Sequence, residues 1–89
     1  MFIIKIKPYI TQNDKKVVMS LKVTKNDTIQ MTKQLIQHAA GLPAERLNLY
    51  KNTKKLSDNQ TLGELCVQPY SYLFYTISLR KLRIFSIKN

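Results

Sequence analysis

Eighty-nine residues, 44% hydrophobic and 22% charged, describe one small globular domain rather than a disordered tail; a chain this short buries about 60–65% of its unfolded surface, which excludes a multidomain enzyme with a deep cleft. Apolar runs such as Phe2-Ile3-Ile4 fall far short of the roughly 20 residues that cross a bilayer, Lys5 and Lys7 interrupt any secretory signal, and the single cysteine, Cys66, forms no internal disulfide and fits a reducing compartment. Fifteen Lys and Arg against five Asp and Glu give +10, a charge that attracts nucleic acid, anionic lipid or acidic protein alike, yet the lysines are scattered and form no basic tail.

Phe2, Ile4 and Ile6 alternate with Ile3, Lys5 and Lys7, the period of a half-buried strand. Residues 8–16 form a long turn-rich connection, and Val17, Met19, Leu21 and Val23 alternate against Val18, Ser20 and Lys22 as a second strand. Asn26, Asp27 and Thr28 then start a helix, with Asp27 and Gln30 in capping-box spacing. Ile29, Thr32, Ile36 and Ala39 or Ala40 share its inner face, while Lys33, Gln34 and Gln37 lie mainly outside. Gly41 stops it in the left-handed conformation that glycine tolerates, and Leu42-Pro43 cannot continue it.

In Leu47-Asn48-Leu49-Tyr50 the leucines share the buried face, so Asn48 and Tyr50 point outward. Asn52-Thr53-Lys54 is a turn, and Leu56 anchors a short return strand. Thr61 and Glu64 form a second capping box for a single helical turn. In the last strand, from Tyr72 to Leu79, Leu73, Tyr75, Ile77 and Leu79 share the core face, and Phe74, Thr76, Ser78 and Arg80 the other. The first and last strands both read as core-facing, which predicts that they lie side by side and parallel in a mixed sheet. One helix of about 11 residues covers one face of such a sheet; the other is left for solvent or a partner.

The run Asp27-Thr28-Ile29, Ile36, Gly41-Leu42-Pro43, Leu49, Lys54, Leu56-Ser57-Asp58, Thr61-Leu62 and Leu73 resembles ubiquitin and the ubiquitin-like domains. Its spacing from Asp27 to Leu73 is uninterrupted relative to ubiquitin, whereas the first hairpin connection is several residues longer. The resemblance implies an α+β fold of the β-grasp type: a mixed sheet of four or five strands packed on one main helix, plus a short helical turn. It sets a ubiquitin-like domain over residues 1–80 and a C-terminal extension or linker over 81–89.

Ubiquitin and its conjugated relatives end in a thin tail closing on Gly-Gly. The residues at those two positions here are Lys81 and Leu82, and the glycines of the chain are Gly41 and Gly63. The resemblance therefore points to a noncovalent protein-interaction module that is not conjugated. It implies a contact patch of Tyr50 on the third strand, Phe74 and Thr76 on the last strand, and Ile10 or Tyr9 from the hairpin loop. Arg46, Lys54 and Arg80 would rim that patch. Two outward aromatics on neighbouring strands suit an interface anchor, although single exposed aromatics are common on any surface.

No catalytic, cofactor or metal site is expected. His38 stands alone in the last helical turn, where the helix dipole favours a cation. Cys66 follows Leu62 and Leu65 and reads as a small buried hydrophobe. Asp58 and Glu64 are accounted for as turn and cap, and neither glycine lies in a phosphate loop. The partners implied are ubiquitin receptors, proteasome components or related helical motifs, met by a monomer inside the cell, in the cytoplasm or nucleus. The alternative is a basic β-grasp domain that binds RNA or single-stranded nucleic acid, with Tyr70, Tyr72 and Phe74 stacking on bases.

Overall fold

The computed structural model describes residues 1–9 and 18–78. Ile10, Val17, Leu79, Arg80 and the 81–89 segment lie outside the described residues. Strand β1 spans Phe2–Pro8, β2 Met19–Val23, β3 Leu47–Lys51, β4 Lys54–Lys55 and β5 Tyr72–Ile77, with helix α1 at Ile29–Ala40 and a 3-10 turn at Ala44–Arg46. The sheet order is β2-β1-β5-β3-β4. The central pair β1 and β5 is parallel, with Ile6 beside Leu73, and the other pairs are antiparallel. The first and last strands thus sit together as their core-facing alternation predicts, and the result is a mixed β-grasp sheet on one main helix.

Period-two alternation decides which side chains meet the helix. Ile4 and Ile6 of β1, Leu21 and Val23 of β2, Leu47 and Leu49 of β3 and Leu73 of β5 are buried, and Ile29 and Ile36 of α1 join the same core. Burial of these apolar side chains is the main favourable term for a domain of this size. Thr32 is the one polar side chain buried among the described residues, and its hydroxyl donates to the Thr28 carbonyl at 3.0 Å, so its burial leaves no group unpaired.

The helix differs from its sequence reading at both ends. Thr28, not Asp27, is the N-cap, its Oγ1 accepting from the Met31 N–H at 3.1 Å. The Asp27 carboxylate instead accepts from the Thr24 N–H at 3.0 Å, closing the turn before the helix. Both residues satisfy N–H groups that would otherwise be orphaned, so the sequence pattern was real but one position displaced. Ala39 and Ala40 are exposed, because the buried positions of α1 end at Ile36. Gly41 ends the helix with φ at 75°, its N–H donating to the Gln37 carbonyl at 2.8 Å. Lys33 is drawn inward to the Asp58 carboxylate at 2.6 Å.

The segment after β4 is a second capped turn. The Thr61 N–H donates to Glu64 Oε1 at 3.0 Å and the Glu64 N–H to Thr61 Oγ1 at 3.1 Å, a reciprocal capping box. Gly63 lies against the chain near Lys25, where an added Cβ would come within 3.1 Å of the Lys25 carbonyl oxygen. The turn closes through Cys66 N–H to Gly63 C=O and Val67 N–H to Leu62 C=O, both at 3.0 Å, with Cys66 at φ 57°. That is a Schellman closure with cysteine in the left-handed position that glycine usually fills.

Cys66 is therefore exposed rather than buried. The left-handed turn swings its side chain outward and brings Val67 into the core instead. A left-handed conformation costs a non-glycine residue about 1–2 kcal/mol, and glycine loses about 0.5–1 kcal/mol of that advantage through its more flexible unfolded chain. Cys66→Gly is expected to stabilise the domain by about 0.5–1 kcal/mol in urea unfolding. A loss of stability would show that the cysteine side chain makes a contact that outweighs the strain.

Candidate interaction surface on the outer sheet face

The alternation that buries Ile4 and Ile6 sends Lys5 and Lys7 to the other face, and continued past Pro8 it sends Tyr9 there as well. The Tyr9 N–H donates to the Tyr75 carbonyl at 2.9 Å, which extends the pairing of β1 with β5 by one residue. Register then brings β3 in: Tyr50 pairs with Phe74, and Asn48 with Thr76. The Tyr9 ring sits 5.1 Å from the Tyr50 ring, tilted by 42°, and 5.6 Å from the Phe74 ring, tilted by 35°. Both separations fall in the range where aromatic rings attract beyond simple burial.

Strands β3 and β5 and the residue that follows β1 thus each supply one ring to a single cluster. Tyr9 is 39% exposed, while Tyr50 and Phe74 are half-buried, so the rings present a joint surface rather than three separate ones. Beside them Asn48 Nδ2 donates to Thr76 Oγ1 at 3.3 Å. Arg46 precedes β3, and its carbonyl accepts from the Ser78 N–H at 2.8 Å. Lys54 is exposed and pairs in register with Lys51, whereas Lys55 lies directly across from Tyr50. Lys51 turns to the opposite side, where its ammonium donates to the Leu65 carbonyl at 2.5 Å.

Tyr50, Phe74 and Thr76 share the outer face, as period-two arithmetic has them. The hairpin member among the described residues is Tyr9; Ile10 and Arg80 lie outside them. Tyr9 continues the outward series of Lys5 and Lys7 into the segment that the sequence pattern assigns to the connection. Two further members needed the register: Tyr72, 51% exposed, and Lys7, whose Nζ lies 4.9 Å from the centroid of the Tyr72 ring and 6.0 Å from that of Phe74.

The opposite side of the domain is chemically different. The solvent face of α1 carries no aromatic ring: Gln30, Gln34, Gln37 and His38 are exposed, together with the aliphatic Met31 and Leu35. Among the described residues no three His, Cys, Asp or Glu side chains converge as a metal site, and no helix is long and apolar enough to cross a membrane. The sequence model of the ubiquitin family matches residues 4–80. With that match covering the helix and all of the described strands but Phe2 and Ile3, and with a five-stranded mixed sheet laid over α1, the chain belongs to the ubiquitin family.

Proposed function

We propose that this chain is a noncovalent docking module whose partners bind the Tyr9, Tyr50 and Phe74 cluster on the outer sheet face. Membership of the ubiquitin family carries a general protein-interaction or modifier-like role. The observation that favours docking through this face is the convergence of Tyr50 of β3 and Phe74 of β5 within 5.6 Å of Tyr9, just after β1. Aromatic side chains grouped at the centre of a partly exposed patch are the usual anchors of an interface, and surrounding polar groups help exclude water from them. Lys55 lies across the ladder from Tyr50 and Arg46 precedes β3 beyond the Asn48–Thr76 pair, and both suit a partner with carboxylates beside its apolar contacts. Ubiquitin receptors, proteasome components and related helical motifs of the ubiquitin pathway fit that description.

The same reading makes the chain a binder, not an enzyme and not a conjugated modifier. Lys81 and Leu82 stand where the conjugated relatives have Gly-Gly, and two bulky side chains do not thread a channel shaped for a tail without side chains. Residues 81–89 serve in this reading as a linker or extension. The exposed Cys66 thiol fits a monomer in the reducing cytoplasm or nucleus.

Titration of a ubiquitin-interacting helical peptide into the labelled chain, followed by amide NMR shifts, tests the proposal. Shifts are expected at Tyr9, Asn48, Tyr50, Phe74 and Thr76. Shifts confined to α1, or none at all, would reject the surface.

A further inference from the structure

The outer face carries a second pattern, which shares Tyr50 and Phe74 with the docking cluster and adds Tyr72 and the lysines of β1. Each ring of β5 and β3 on this face has a lysine as its neighbour across the ladder: Lys5 beside Tyr72, Lys7 beside Phe74 and Lys55 beside Tyr50. Lys22 of β2 adds a further cation on the same face, diagonal to Lys5. Among the described residues of the five strands every charged side chain is a lysine. The described acids, Asp27, Glu45, Asp58 and Glu64, all lie outside the strands.

We propose that this face binds single-stranded nucleic acid, with Tyr72 and Phe74 as base platforms and Lys5 and Lys7 as phosphate contacts. The chemistry follows from the repeat. A single strand offers a flat base and a negative phosphate at every nucleotide, so it is matched by a surface that sets a ring next to a cation more than once. An acidic protein segment would satisfy the lysines but has no regular need of the rings. The exposure of Tyr72 at 51% leaves its ring accessible, and Lys7 already sits over it at 4.9 Å. That contact is the weaker of the two available to the ring: a cation over an exposed tyrosine gains less than a stacked base does. The ammonium can therefore swing aside to a phosphate while the base takes its place. Among the described residues no strand carries a carboxylate that would oppose the approach.

This inference does not rest on the docking reading. It shares Phe74 with the docking cluster, but its test is read at Tyr72 and Lys7, which lie outside that cluster, so the two fail separately.

The test is fluorescence anisotropy of a labelled oligouridine titrated with the full chain, repeated from about 50 mM to about 200 mM salt. Binding is expected at the low end, with log K falling against log salt at a slope of about −1.4 for the two phosphates neutralised by Lys5 and Lys7. Tyr72→Ala is expected to weaken it about tenfold, and Tyr72→Phe, which keeps the ring, about twofold or less. Lys7→Gln is expected to make the slope shallower by about 0.7. Tyr72 and Lys7 are outside the core, and a circular-dichroism melt verifies that each variant is folded. No binding at the lowest salt overturns the proposal. So does binding that is indifferent to Tyr72→Ala, which would mean attraction by net charge without stacking. Binding of an acidic helical peptide that is sensitive to both variants, with no RNA binding, would assign this part of the face to protein instead.

Discussion

Leu73→Ala is expected to lower the stability of the domain by about 3 kcal/mol, within the range of about 2–5 kcal/mol for a buried leucine truncated to alanine. Leu73 is fully buried and lies on β5, which is flanked by β1 on one side and β3 on the other. Its register partner across the parallel pair is Ile6, itself fully buried. A cavity at this point is lined by side chains anchored on paired strands, so it closes poorly. The whole domain has about 4–13 kcal/mol to lose, at about 0.05–0.15 kcal/mol per residue. A loss of about 3 kcal/mol corresponds to a fall in melting temperature of about 12–24 °C for a domain of this size. Leu73→Met keeps most of the volume and is expected to cost less than about 1.5 kcal/mol. Thermal melts of the two variants decide the matter: equal, small shifts in both would mean that β5 does not run through the centre of the core.

The second large effect is on binding. Tyr9→Ala is expected to weaken docking of a ubiquitin-interacting helix by about 2 kcal/mol, roughly thirtyfold, as truncation of a central aromatic anchor does. Tyr9 is the ring that touches both of the others, at 5.1 Å and 5.6 Å, so its removal leaves Tyr50 and Phe74 without their common neighbour. The cost to folding is smaller, about 0.5–1.5 kcal/mol for ring contacts at the surface. Tyr9→Phe retains the ring and is expected to bind within about threefold of the parent. Met31→Ala alters an exposed apolar residue on the helix side, 47% exposed, and is expected to leave affinity unchanged. Calorimetric titration of the three variants reads the result. Unchanged affinity in Tyr9→Ala would move the docking site away from the ring cluster.

Much of the fold is written in local patterns. The alternation of Ile4 and Ile6 with Lys5 and Lys7, the leucine pair at Leu47 and Leu49, and the stop at Gly41 are each decided by residues within a few positions. That β1 and β5 each have a core face is also local, since each alternates along its own length, but which strands pair is not. The Thr61–Glu64 cap is of the same kind, because both partners lie in one turn. Where local reading slipped, it slipped over competition among neighbours. Asp27 and Thr28 both cap N–H groups, and the segment has room for only one at the helix N-cap. Cys66 sits in a left-handed closure whose two hydrogen bonds reach back to Leu62 and Gly63, and its composition alone suggested a buried thiol.

The outward direction of Tyr50, Phe74 and Thr76 was settled by chain chemistry, because side chains on a strand alternate whatever the strand pairs with. Which of them touch was settled by the ladder. Tyr9 meets Tyr50 only because β5 lies between β1 and β3, and Lys7 meets Tyr72 only because the parallel register sets Lys7 beside Phe74. Strand order and register come from long-range packing of the core against α1, so the composition of the outer face as a surface is a property of the tertiary structure and not of any one segment.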